Sequence, residues 1–301
     1  MNNVCYIAGI GAFGSLIAGY FSHAGIETRL ILKNSDSLAN YEQYGLEIIS
    51  PDETFKVHPQ AHDVQQLQGN IDLLIVCVKA FDVTNLLLSL KKHLSENSLI
   101  ILQHNGLGVL EEIDKALPTL RVISGVSTLG AHKLQAFKVK VFLSGNLHFG
   151  PVRGQFTPRE ISNFCHILDD SKLPYTWDEQ INFRLWEKFA INCSINLLTV
   201  LFNCRNKNLL QHESLLDTLT FEISKVLKAH AVEMPHESLL RTVKKVIVGT
   251  GENYSSMHQD AHHHRQTELK YLNEYLVELG RQVNVLTPVN DELIVKFKSM
   301  V

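Results

Sequence analysis

The sequence predicts an α/β protein in two parts, a parallel-sheet domain followed by an all-helical domain. Three observations carry that prediction. Short apolar runs alternate with helical patterns through the first half, as βαβ units require. Strand signals nearly vanish beyond the stretch PYTWDEQ, residues 174–180, and helical periodicity takes over. The chain has 301 residues, and at about 100–200 residues per domain it holds two, each able to bury a core without staples. The expected domains are residues 1–179 and 180–301.

In order, strands are expected at residues 4–8, 28–32, 73–78, 99–103 and 122–126, since each is a short apolar run bounded by turn residues. Helices are expected between them at 13–24, 83–94 and 109–117. Shorter runs, FKVKVFLSG and NLHFG, suggest added antiparallel strands within 130–150. The second part reads as helices at 183–203, 213–231, 236–249, 260–280 and 289–299. No internal repeat or low-complexity segment occurs.

Composition excludes several function classes. With 45% hydrophobic and 20% charged residues the chain is globular and soluble. Its net charge is −3, with no long basic run, so nucleic acid is excluded as a partner because phosphate neutralisation needs clustered Lys and Arg. The opening VCYIAGIG has no basic leader, and no apolar run approaches the roughly 20 residues of a membrane span. The five cysteines are scattered through apolar runs without CxxC spacing, and read as small core residues. A cytoplasmic protein, a monomer or homodimer without a membrane partner, is the expectation.

CYIAGIGAFGSLIAGYF holds Gly9, Gly11 and Gly14 in the spacing GxGxxG, after an apolar strand and at the start of an apolar helix. The first glycine permits the tight turn, the second lets backbone approach a diphosphate, and the third lets the helix pack on the sheet. The diphosphate then meets unpaired N–H groups at a helix N-terminus. The next strand, TRLILKNS, ends in Lys33, 19 residues after Gly14, where an NAD site carries an acid. A lysine there pairs with a 2′-phosphate, which points to NADPH rather than NADH; the bland reading is a surface lysine. Lys79 and Asn105 follow two further apolar strands at the edge where ligands bind, although Asn105 before Gly106 is also a plain turn former.

LWEKFAINCSINLLTVLFN, residues 185–203, is a mostly apolar helix interrupted by Lys188, Asn192 and Asn196 at i, i+4 and i+8. The lysine can snorkel to water, pair with an acid such as Glu187, or line a cavity for an anionic ligand. The two asparagines, with Asn203 and Asn206 at the helix end, favour the last, because amides recognise carboxylate and hydroxyl oxygens. Further on, Asn253, Ser255 and Ser256 read as a loop and N-cap supply of donors. Glu268 is expected on the following helix, one turn past His264. His258 and His262 have metal-ligand spacing, but the histidine-rich stretch reads as a solvated face, and no metal is expected.

In order and spacing, GIGAFG, VKA, HNG, LWEKFAINCSIN, NCRNKNL and NYSSMHQDAHHHRQTE are similar to the ketopantoate reductase (2-dehydropantoate 2-reductase) family, nearly end to end. The resemblance implies an N-terminal Rossmann-type domain and an all-helical C-terminal domain like that of 6-phosphogluconate dehydrogenase, with the active site in the cleft between them. It implies NADPH-dependent reduction of 2-dehydropantoate to (R)-pantoate, a step toward pantothenate and coenzyme A. Position by position, Gly9, Ile10, Gly11, Ala12, Phe13, Gly14, Lys79, Asn105 and Ala131 would contact cofactor. Lys188 would be the catalytic acid, with Glu268 assisting. Asn192, Asn196, Asn206, Asn253, Tyr254, Ser255 and Ser256 would hold substrate alongside Lys188. Lys207 and Glu274 stand where the family commonly has glycine. A paralogous reductase of another 2-oxo acid and a non-catalytic NADP sensor are the alternatives; retention of Lys188 and Glu268 argues against the sensor.

Overall fold

A computed structural model describes residues 4–300. By their contacts these fall into two compact units. One runs to His104 and resumes over Glu111–Asn182; the other joins Asn105–Leu110 to the residues from Phe183 onward.

In chain order the first unit carries β1 (Cys5–Ala8), α1 (Ala12–His23), β2 (Thr28–Leu32), α2 (Ser35–Tyr44), β3 (Leu46–Ile49), β4 (Thr54–Val57) and β5 (Gln60–Asp63). It continues with β6 (Leu73–Val76), α3 (Ala80–Ser89), β7 (Leu99–Leu102), α4 (Val109–Ala116), β8 (Arg121–Ser127), β9 (Gly130–Gln135) and β10 (Lys138–Phe142). Then come β11 (Leu147–Arg153), α5 (Pro158–Ser171) and β12 (Tyr175–Trp177). The main sheet runs β12-β11-β8-β7-β6-β1-β2-β5. Pairing is parallel from β5 through β8, and β11 adds antiparallel to β8. A smaller sheet, β4-β3-β10-β9, lies beside α1.

The five expected central strands are present as β1, β2, β6, β7 and β8. β1 and β6 are buried along their whole length, which is why they read as unbroken apolar runs rather than alternating ones. The core beneath them includes Leu16, Ile17 and Phe21 of α1, each at most 1% exposed, and each burial contributes about 1.5–3 kcal/mol. Two helices lie outside the expected set. α2 (SDSLANYEQY) buries only Leu38 and Tyr41. α5 buries Phe164 and Leu168 on a stripe with Ile161 and Cys165, and is also announced by a capping box, Thr157 with Glu160, and Pro158 at its first position.

The second unit is helical: α6 (Ile181–Leu201), α7 (Glu213–Ala229), α8 (His236–Gly249), α9 (Ser256–His262), α10 (Asn273–Gln282) and α11 (Pro288–Lys298). Its own core gathers Phe189, Leu197, Leu198, Leu219, Ile223 and Leu276 among others. The single helix expected over 260–280 is in fact two. α9 stops at His262; His264 has φ +52, and Leu272 has φ −121 and ψ −108, outside helical space. Between them lies only a 3₁₀ turn, Leu269–Tyr271. Glu268 therefore sits in this connection and not on a helix. Among the described residues no helix is long and apolar enough to cross a membrane.

Candidate active site

In the first unit, β1 lies between β2 and β6 with Ala8 in register with Ile31 and Val76. The residues that follow these strands therefore emerge side by side at the carboxyl edge. Gly9 has φ +88, and a Cβ there would lie 2.6 Å from the Cys77 carbonyl carbon and the Val78 nitrogen. A Cβ on Gly14 would lie 2.1 Å from the Gly9 oxygen, so α1 closes on the turn only because both are glycine. Gly11 differs: a Cβ on it would meet nothing within 4 Å. Internal packing accounts for two glycines and leaves open space beside the third. No side chain caps α1, and its first turn holds no acid. Its leading N–H groups have no intrahelical acceptor, so the cradle fits a dinucleotide diphosphate.

Around it, Ala12 opens α1, while Ile10 and Phe13 pack partly buried against the core. Lys33 is exposed just past β2, where Asn34 caps α2 by accepting from the Ser37 N–H at 2.9 Å. Lys79 is half-buried at the N-terminus of α3. Ala131 pairs with Val141 on the smaller sheet, partly buried against the same core.

The second unit builds the other candidate cluster. Lys188, Asn192 and Asn196 share one face of α6; the first two are half-buried and Asn196 is 6% exposed. Burial pulls the Lys188 ammonium down from 10.5 to about 8, partly offset by the carboxylate of Glu268. Glu268, only 4% exposed, accepts from Asn105 Nδ2 at 3.3 Å. The Asn105 loop belongs to this unit: Leu107 N–H donates to the Tyr271 carbonyl at 3.0 Å, and Gly106, at φ +82, lies where a Cβ would be 2.4 Å from that oxygen. The structure thus brings Lys188, Glu268 and Asn105 together.

Substrate candidates occupy two apposed loops. Asn206 N–H donates to the Asn253 carbonyl at 3.0 Å, and Asn206 Nδ2 to Thr250 Oγ1 at 2.8 Å. Asn206 Oδ1 is buried and accepts no hydrogen bond among the described residues. Asn253 and Ser256 are exposed. Ser255 is committed to structure: its Oγ accepts from the His258 N–H at 3.0 Å, capping α9, and lies 2.6 Å from Thr199 Oγ1. An open depression of about 380 Å³ beside these loops is lined by Lys207, Thr250, Glu252 and Asn253 among others.

Sequence reading missed the groups that support this cluster. Thr199 joins Ser255 to α6, its Oγ1 donating to the Asn196 carbonyl at 2.7 Å. His258 corrects an expectation: it is 7% exposed, stacks on Tyr254 at 4.4 Å, and meets Asn203 Oδ1 through Nε2 at 2.9 Å. Only His262, His263 and His264 form the solvated face. The serine cap that turns His258 inward was legible; its distant partner was not. Among the described residues no group of three or more His, Cys, Asp or Glu side chains is gathered as a metal site would be. All five cysteines are free thiols, buried or half-buried.

A parallel sheet with a glycine cradle at its carboxyl edge, followed by a helical unit carrying a half-buried lysine beside a buried carboxylate, defines a pyridine-nucleotide oxidoreductase with a Rossmann-like domain. Residues 5–154 match the family model described as ketopantoate reductase PanE/ApbA, and residues 180–300 match the model of that family's C-terminal part. The chain belongs to the ketopantoate reductase family. It is 30% identical over 296 residues to a 2-dehydropantoate 2-reductase of Vibrio cholerae, covering 98% of this chain and 96% of that protein. It is 33% identical over 244 residues to the Yersinia pestis protein of the same name, covering 80% and 78%. Among solved structures, a PanE/ApbA family ketopantoate reductase from Ralstonia eutropha superposes with TM-score 0.88 at 22% identity, covering 99% of this chain and 100% of that one. A D-mandelate dehydrogenase with NADH and anilino(oxo)acetate superposes with TM-score 0.89 at 21% identity, covering 98% and 97%. At such identities these likenesses speak for the fold alone.

Proposed function

We propose that this protein reduces 2-dehydropantoate to (R)-pantoate with NADPH, in pantothenate and coenzyme A biosynthesis. The first unit is the cofactor domain and the second, with Lys188, the substrate and catalytic domain. The observation that carries the reading is the half-buried Lys188 beside the buried Glu268, on a chain that matches ketopantoate reductases over nearly its whole length.

In this reading Gly9–Gly14 and the α1 N-terminus cradle the diphosphate, Lys33 pairs with the 2′-phosphate, and Lys79, Asn105 and Ala131 flank the cofactor. When bound, the reduced nicotinamide supplies a hydride to the C2 carbon of the 2-oxo acid. As negative charge grows on the C2 oxygen, Lys188 stabilises it and donates a proton from Nζ, becoming a neutral amine. Glu268 favours the charged lysine beforehand, and Asn105 holds that carboxylate through its Nδ2. Asn192, Asn196, Asn206, Asn253, Tyr254 and Ser256 orient the substrate's carboxylate and hydroxyl oxygens. Ser255 holds the loop in place through its cap.

One observation favours a second reading, a paralogue acting on a different 2-oxo acid. Lys207, where the family commonly has glycine, pairs with Glu252 at 2.6 Å on the lip of the depression beside Asn206 and Asn253. The two readings separate in one assay: NADPH oxidation followed at 340 nm with 2-dehydropantoate and a panel of 2-oxo acids, with NADH as comparison. A higher kcat/KM for another 2-oxo acid replaces the first reading with the second, and absence of any turnover overturns both.

A further inference from the structure

A buried relay of hydrogen bonds in the helical unit has no part in the chemistry above. It begins at Glu222 on α7, which is 6% exposed. Glu222 Oε1 accepts from the Val289 N–H at 2.7 Å; Oε2 accepts from the Asn290 N–H at 3.0 Å and from Asn290 Nδ2 at 2.9 Å. With its Nδ2 turned to the carboxylate, Asn290 presents Oδ1 to Asn273, whose Nδ2 donates to it at 3.0 Å. The same Nδ2 donates to the Cys193 carbonyl on α6 at 2.9 Å. Asn273 and Asn290 have no exposed surface. Both Glu222 oxygens accept, so Glu222 sets the orientation of Asn290, and Asn290 that of Asn273.

The two ends of the last bond are telling. Cys193 lies five residues past Lys188, and Asn273 lies five residues past Glu268. A single amide thus ties the helix of the lysine to the segment of the carboxylate. That segment has little regular structure to hold it, since Glu268 precedes one 3₁₀ turn and Leu272 breaks the helix.

We propose that Asn273 is a positioning residue that sets the separation between the Lys188 ammonium and the Glu268 carboxylate. The proposal rests on the reading of Lys188 as the acid. It is tested on the full-length enzyme by comparing Asn273→Ala with wild type in the reduction assay over a range of pH. The variant is expected to lose about tenfold or more in kcat, with the KM for NADPH little changed. The alkaline limb of its kcat/KM profile moves down by about half a pH unit or more, because a carboxylate that drifts from the lysine no longer supports its charge. Asn273→Ser, with one hydroxyl donor, is expected to fall between, and decides the matter if the alanine variant does not fold. A merely structural role lowers the melting temperature and leaves the limb where it was; that result in a folded variant overturns the proposal. Lys188→Ala, assayed alongside, separates the two ideas: if it keeps both turnover and the limb, the acid assignment itself fails.

Discussion

Lys188 is where residue chemistry matters most. A lysine at about 8 is mostly charged at neutral pH yet gives up its proton far more readily than one at 10.5. If it is the acid, kcat/KM for reduction should hold level up to about pH 8 and then fall roughly tenfold per unit. Oxidation of the hydroxy acid, which needs the neutral amine, should rise across the same range. Lys188→Ala should lower kcat by about 10²–10⁴ while NADPH still binds, as checked by steady-state kinetics and nucleotide fluorescence. Lys33 governs a separate choice. Hydrogen bonds to charged groups are worth about 1.5–3 kcal/mol, so Lys33→Ala should raise the KM for NADPH about 10–100-fold and leave that for NADH unmoved. Equal effects on both cofactors would remove Lys33 from the 2′-phosphate site.

At the level of elements, the parts most visible in the sequence are those apolar along most of their length. β1, β6 and β7 are short apolar runs between turn residues, and α6 is apolar along most of its length. The polar α2 was invisible to periodicity because it buries only Leu38 and Tyr41, whereas α5 carries an apolar stripe, Ile161, Phe164, Cys165 and Leu168, at helical spacing. For α5 a second local signal lay in its cap. Thr157 Oγ1 accepts from the Glu160 N–H, and Glu160 reaches back to the Thr157 N–H at 2.8 Å. Thr157→Ala should therefore cost about 1 kcal/mol in urea denaturation without changing kcat, since α5 carries no candidate site residue. The break within 260–280 was not readable. TELKYLNEYLVELG is a good helical pattern, but the Tyr271 carbonyl accepts from Leu107 and Asn273 reaches Cys193, so long-range hydrogen bonds override local preference.

Over the whole molecule, each unit closes a core of its own, and the second also carries the cost of a partly desolvated ammonium. The folded pKa of Lys188 lies below its ordinary value, so between about 8 and 10.5 the unfolded chain holds the extra proton and stability rises with pH. Relative to Lys188→Met, the wild type should therefore gain stability through that window and level off above it, as read from urea midpoints across pH; a flat difference would mean the ammonium is not desolvated. The sequence by itself determined the α/β order, the glycine cradle, the lysine row on α6 and the family, because each is written in spacings along a short stretch of backbone. Only the tertiary structure decided which groups meet: Glu268 with Asn105, 163 residues away, Asn273 with the Lys188 helix, and His258 turned inward onto Asn203. Such pairings depend on how helices pack after the chain has folded, and no local period encodes the distance between two side chains so far apart in sequence.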